Sequence, residues 1–250
     1  MDHHPDIEKG GVHATTPQQA LGNHVLPASY GQAVRPSRIG NPGALGLFSF
    51  ASTTFMLSLY NLQTRSITTP NVVVGMAIFC GGLAQLLAGM WEFPRGNVFG
   101  GTGEYQYAHL HHLSAASGPF TSYGAFWLSY ATILIPGSGI IESFANTPPH
   151  ELHNALGIFL VAWTMVTFLL LIAALRKNIG FITLFAFLTL TFACLAAGEL
   201  ALSTGATKAG GALGVITAFV AYYVGLSELL AAEDMAVTRL PIGIFPKRVD

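Results

Sequence analysis

Charge is scarce in this sequence. Only 9% of its 250 residues are Asp, Glu, Lys or Arg, against about a quarter in ordinary soluble domains. So few charges do not keep a chain that is 52% apolar dispersed in water. A soluble globular fold is excluded, and lipid is the natural solvent. The net charge of -1 and the lack of Lys/Arg runs leave no basic footprint for DNA or RNA, so no nucleic-acid partner is expected. Cysteine is also rare. Cys80 and Cys194 both lie inside apolar runs, where they read as small hydrophobes rather than as a disulfide or metal ligands.

Catalytic patterns are missing as well. No Gly-x-Ser-x-Gly elbow occurs. Gly101 and Gly103 begin a dinucleotide pattern, but Gln106 stands where the third glycine belongs. His109, His111 and His112 cluster, and His150 and His153 stand three apart, which has the look of a metal oxygenase. The second pair is one residue short of the metalloprotease spacing, and no further Asp, Glu or His set inside the apolar runs completes a metal shell. No metal, cofactor or enzyme activity is expected.

What is present in quantity is uncharged apolar sequence. About 20 residues at 1.5 Å each cross the hydrocarbon core of a bilayer, and six runs meet that length. They lie between Arg38 and Arg65, between Arg65 and Glu92, in the stretch after Glu104 that ends at Glu142, over Leu152 to Leu175, over Asn178 to Gly198, and over Ala209 to Ser227. The expected fold is an all-α integral membrane protein with six transmembrane helices. Short connections make neighbouring helices antiparallel.

Cytoplasmic loops retain Lys and Arg. With both termini cytoplasmic, Lys9, Arg35, Arg38, Arg95, Arg176, Lys177, Arg239, Lys247 and Arg248 fall inside and only Arg65 and Lys208 outside. Nine against two supports an even number of spans. Residues 1–40 lack the apolar core of a signal peptide and read as a flexible cytoplasmic tail. Residues 41–235 make the six-helix transmembrane domain and 236–250 a cytoplasmic C-terminal tail.

Several polar features have two readings. Asn41-Pro42 opens the first span as an N-cap followed by proline at the first helical position. That is either a plain helix start or a positive dipole end aimed at an anion. Ser49, Ser52, Thr53, Thr54 and Ser58 crowd the first span beside Asn61 and opposite Gln85. They serve either as small packing surfaces or as a path that replaces a solute's hydration shell. Gly75, Gly81, Gly82 and Gly89 in the second span, and Gly210, Gly211 and Gly214 in the sixth, allow close helix approach. Glu92, Glu199 and Glu228 stand near span ends. Such carboxylates are solvated at the interface or relay protons where they face water, and Glu92 is the first candidate for a relay.

The run Asn41-Pro42-Gly43-Ala44-Leu45-Gly46-Leu47 followed by Phe48-Ser49-Phe50 resembles the opening signature of the acetate uptake transporter family. That family includes bacterial succinate–acetate permeases and fungal acetate transporters of the ammonia-export type. Further landmarks follow in order: Gly81-Gly82-Leu83-Ala84-Gln85 with Ala88-Gly89, Gly96-Asn97 with Phe99-Gly100, and Thr121-Ser122-Tyr123-Gly124-Ala125-Phe126-Trp127. The resemblance covers roughly residues 41 to 245. The family usually carries Ala-Pro where this chain has Gly43-Ala44.

The resemblance implies a six-helix carrier of acetate-like monocarboxylates, assembled as a homohexamer with a pathway in each subunit, at the plasma membrane of a fungus. It places the family's hydrophobic constriction on Phe50, Tyr123 and Leu188. Phe50 lies nine residues beyond Asn41 and Leu188 ten beyond Asn178, about 13 to 15 Å from the span starts and close to the midplane. Asn41, Pro42, Thr53 and Gln85 are the expected substrate contacts. An aromatic and aliphatic collar gates by dewetting, so a carboxylate crosses more easily once neutralised by a proton, and proton coupling is expected. The rivals are a passive channel for acetate or succinate, an ammonium exporter and a membrane metalloenzyme.

Residues 103–117 interrupt the family pattern with polar sequence at the start of the third span. Gly103-Glu104-Tyr105 can be encoded by a string containing a common splice-donor sequence, which suggests a translated intron. The alternative is a histidine-bearing cytoplasmic loop sensitive to pH.

Overall fold

The structure is a computed structural model that describes residues 40–95, 117–233 and 235–245. The N-terminal tail, the cluster of His109, His111 and His112, and the interrupting segment up to residue 116 lie outside the described residues. Ser117, the last residue of that segment, begins a helix.

Among the described residues there is no β-strand, and six long helices form the fold. They are α1 (Gly43–Asn61), α2 (Val73–Glu92), α3 (Ser117–Leu134), α4 (Pro149–Ala174), α5 (Ile179–Leu200) and α6 (Thr204–Ala232). All-helical structure is what a lipid solvent demands, because a helix satisfies its own backbone N–H and C=O groups. Five of the six, all but α3, are long and apolar enough to cross a membrane. The Ser, Thr, Tyr and Gly residues of α3 dilute its apolar content over 18 residues. Its large side chains are nevertheless deeply buried: Phe120, Tyr123, Phe126 and Trp127 are all at most 4% exposed.

Local chemistry marks the ends. The Asn178 side chain accepts the Phe181 N–H at 2.8 Å and starts α5, and the Ser203 hydroxyl accepts the Ala206 N–H at 3.3 Å and starts α6. Pro149 occupies the first position of α4, where its missing N–H is no loss. At α1 the helix starts one residue later than the sequence suggests. Pro42 already has helical angles and stands in the capping position, and its carbonyl accepts the Gly46 N–H at 3.0 Å. Asn41 closes a tight turn instead, accepting the Gly43 N–H at 3.0 Å.

Neighbouring helices run antiparallel. Gly43 at the start of α1 abuts Glu228 near the end of α6, whereas Gly211 near the start of α6 abuts Ser58 and Leu62. We call the end where α1, α3 and α5 begin the lower end, and the opposite one the upper end. α1 is the most enclosed helix, with 61% of its span buried, whereas α4 has 11%. From Ala155 onward the exposed residues of α4, including Ile158, Met165, Phe168, Leu169 and Ile172, are apolar.

α2 is not a uniform helix. Val73–Ile78 and Gln85–Glu92 are α-helical, and Phe79–Ala84 between them is a π-helical turn. Gly81 lies inside this turn, and a Cβ there would stand 2.8 Å from both Thr53 Oγ1 and the Trp127 ring. Three helices therefore meet at a glycine without a side chain. At the lower end, residues 240–244 fold back onto α5 and α6: Ile179 and Gly180 donate their N–H groups to the carbonyls of Gly243 and Ile242 at 3.0 and 3.1 Å.

Candidate functional site

Phe50, Tyr123 and Leu188 come together in the middle of the bundle. They are 4%, 2% and 2% exposed and belong to one apolar cluster. Each stands six to nine residues into its helix, about 9 to 14 Å from its start. The Phe50 and Tyr123 ring centroids are 5.4 Å apart at an interplanar angle of 51°. Tyr123 also faces Trp163 and Phe185, at 6.1 and 6.3 Å. Its hydroxyl is turned away toward α4, where it donates to Thr167 Oγ1 at 3.0 Å.

A cavity lies on each side of this collar. The lower one, about 20 Å³, is lined by Leu47, Phe50, Gln85, Tyr123, Leu184 and others. The upper one, about 90 Å³, reaches from Phe50, Trp127 and Leu188 to Asn61, Glu199 and Thr207 at the upper helix ends. Phe50 lines both. Since about 10 to 15 Å³ holds one water, the lower cavity takes one or two and the upper several.

Polar groups punctuate the apolar walls. Gln85, the first residue after the π-helical turn, lines the lower cavity and its Oε1 is buried without a hydrogen-bond partner. On the upper side Thr54 Oγ1 and Trp127 Nε1 are likewise buried without one. A buried polar atom with no protein partner leaves its hydrogen bond for water or a solute. The indole N–H donates only, which suits an anion or a carbonyl oxygen.

The other expected contacts lie elsewhere. Thr53 faces Gly81 rather than a cavity, and its hydroxyl donates to the Ser49 carbonyl at 2.9 Å. Thr54, one residue on, takes the lining position. Asn41 and Pro42 stand at the lower end, where the Glu228 carboxylate lies against the Gly43 backbone position. A Cβ on Gly43 would overlap that carboxylate. This gives a physical reason for glycine where the resemblance leads one to expect alanine. Glu92 is fully buried at the lower end of α2 and lines neither cavity described.

Sequence reasoning did not single out Trp127 or Tyr130 as lining residues, nor the pairing of Glu199 with His153. Trp127 and Tyr130 sit four and seven residues after Tyr123, so the helical repeat carries them onto the same face. His153 does not pair with His150. Its Nδ1 lies 2.7 Å from Glu199 Oε2 across α4 and α5, a contact between residues 46 apart that local spacing does not reveal. Among the described residues no group of three His, Cys, Asp or Glu side chains could hold a metal.

Known proteins place this geometry. The chain matches the GPR1/FUN34/yaaH family over residues 24–247. It is 42% identical over 227 residues to ammonia transport outward protein 2 of Saccharomyces cerevisiae, covering 90% of this chain and 73% of that protein. It is 33% identical over 208 residues to the succinate-acetate/proton symporter SatP of Escherichia coli, covering 83% of this chain and 97% of that protein. The solved structure of the bacterial acetate channel SatP superposes with a TM-score of 0.66 at 30% identity, covering 82% of this chain and all of that one. With its five long apolar helices, the chain is an integral membrane protein. It belongs to the GPR1/FUN34/yaaH family.

Proposed function

We propose that this chain carries acetate and similar small monocarboxylates across a membrane, coupled to protons, along a path from the upper cavity past Phe50 to the lower one. The observation that carries the proposal is the pair of cavities that meet at Phe50 in mid-bundle. Small carboxylates pause at Gln85 below the collar and at Thr54 and Trp127 above it. Phe50, Tyr123 and Leu188 between them admit a dehydrated neutral acid far more readily than an ion. A sixth span, α3, completes the path, because it supplies Tyr123 and Trp127.

The lower end is cytoplasmic, a reading supported by the nine-to-two bias of Lys and Arg in the sequence. Residues 1–40 and 236–250 are then cytoplasmic tails, and 41–235 is the transport domain. The apolar outward face of α4 meets lipid or neighbouring subunits of a hexamer in a fungal plasma membrane. Asn41 and Pro42 guard the cytoplasmic end, and Glu92, buried at that end of α2, is the candidate proton relay.

Uptake of labelled acetate into vesicles containing the purified protein tests the reading. Accumulation above equilibrium only under an inward proton gradient is the expected result, and gradient-independent equilibration would replace the carrier with a channel. A second reading, ammonia export, is favoured by the name of the Saccharomyces cerevisiae relative. A dewetting collar also passes neutral ammonia, so ammonium efflux from the same vesicles distinguishes the two.

A further inference from the structure

His153 stands in the second turn of α4 and Glu199 in the last turn of α5, with Nδ1 and Oε2 2.7 Å apart. We propose that this pair is a proton-loading site at the upper mouth, where an incoming small carboxylate becomes the neutral acid before it meets the collar. The proposal rests on the transport reading above.

Three observations carry it. First, the two side chains are 47% and 27% exposed, open enough to exchange protons with water yet close enough to hold one geometry. Second, Glu199 lines the upper cavity together with Asn61, Tyr130 and Thr207. Glu199 is thus at the door of the path, with His153 beside it at 2.7 Å. Third, the walls between this pair and the collar are apolar apart from neutral groups such as Tyr130, Thr191, Ser58, Thr54 and Trp127. Glu199 apart, no residue lining the cavity carries a full charge.

The charged and titratable surroundings are few. From α3 the Tyr130 phenol is within electrostatic reach of Glu199. α4 itself carries His150 and Glu151 within a turn of His153. α6 carries Lys208 next to Thr207, which packs on Gly198 beside Glu199. α1 contributes the uncharged Asn61. Arg65 and Glu142 stand in the connections at the same end.

The step balances in atoms and charge. With both ring nitrogens protonated, Nδ1–H donates to Glu199 Oε2 and the carboxylate fixes the ring. Nε2–H is then the transferable proton. Its N–H bond breaks as an O–H bond forms on the incoming carboxylate, leaving neutral imidazole and a neutral acid. Water at the exposed mouth restores the proton to Nε2. Histidine suits this because it changes charge between about pH 5 and 8.

The test is labelled-acetate uptake into proteoliposomes as external pH is varied across that range, for the wild-type protein, His153→Gln and Glu199→Gln. The wild type is expected to speed up as pH falls. His153→Gln should flatten that rise several-fold near neutrality and converge on the wild type in acid, where the substrate is protonated in bulk. Glu199→Gln should flatten the same profile, and it supplies the same reading if His153→Gln does not reconstitute. A merely structural pair predicts uniform loss at every pH or a profile parallel to the wild type, and either would overturn the proposal. Absence of uptake by the wild type itself would instead remove the transport reading on which the proposal rests.

Discussion

The Tyr123 hydroxyl donates to Thr167 Oγ1 at 3.0 Å, and Thr167 donates in turn to the Trp163 carbonyl at 2.7 Å. The ring that meets Phe50 at the collar is thus held in place by α4, a helix most of whose span is exposed. Removing the Thr167 acceptor strands a buried phenol, which costs about 1–3 kcal/mol. Thr167→Val is expected to lower the thermal stability of the purified protein, and the double change with Tyr123→Phe to recover much of it. A thermal-shift measurement in detergent checks both.

On the proposed path, Leu188 sets the width of the collar from α5. It is 2% exposed, and it lines the upper cavity opposite Phe50 and Trp127. Leu188→Ala removes three carbons from the narrowest level without adding a polar group. Flux of larger carboxylates relative to acetate is expected to rise several-fold, because size exclusion there is steric. Competition assays with carboxylates of increasing size measure the ratio. An unchanged ratio would put the selectivity elsewhere.

Close helix contact makes a sharper prediction for glycine. A Cβ on Gly124 of α3 would stand 2.9 Å from the backbone N and Cα of Leu86 in α2, whereas one on Gly75 meets nothing within 4 Å. Backbone atoms cannot swing aside as a flexible side chain can. Gly124→Ala should therefore destabilise by about 1–3 kcal/mol through overpacking, with Gly75→Ala close to neutral. The difference in melting temperature between the two variants is the measurement.

The spans were readable because lipid imposes a simple rule: about 20 uncharged apolar residues make a crossing helix. Each of α1, α2, α4, α5 and α6 falls on one of the six runs of the sequence. The meeting of Phe50, Tyr123 and Leu188 was expected only from the family resemblance, since they come from three helices with no common spacing. Which neighbour lines the path was not readable. Thr53 and Thr54 look alike in sequence, yet 100° of helical rotation puts one against Gly81 and the other in the upper cavity. The π-helical turn before Gln85 is invisible to any fixed period, and the His153–Glu199 pair needs α4 and α5 to be packed before it exists.

The return of residues 240–244 onto the lower end gives a further prediction. Gly243 has φ +66°, and a Cβ there would stand 2.7 Å from the Ile179 side chain. The Ser227 hydroxyl also donates to the Leu240 carbonyl at 2.8 Å. Gly243→Val combines a left-handed backbone with a clash, a loss of about 1–3 kcal/mol. Lower stability and faster proteolysis after residue 235 are expected. Melting curves and timed digestion read both.

Blocking the collar tests the central claim most directly: labelled-acetate flux into proteoliposomes compared between the wild type and Leu188→Trp. If small carboxylates cross between the two cavities at Phe50, the wild type carries acetate above empty liposomes and the tryptophan abolishes that flux in a protein that still elutes and melts like the wild type. Full flux through a folded Leu188→Trp variant would contradict the claim.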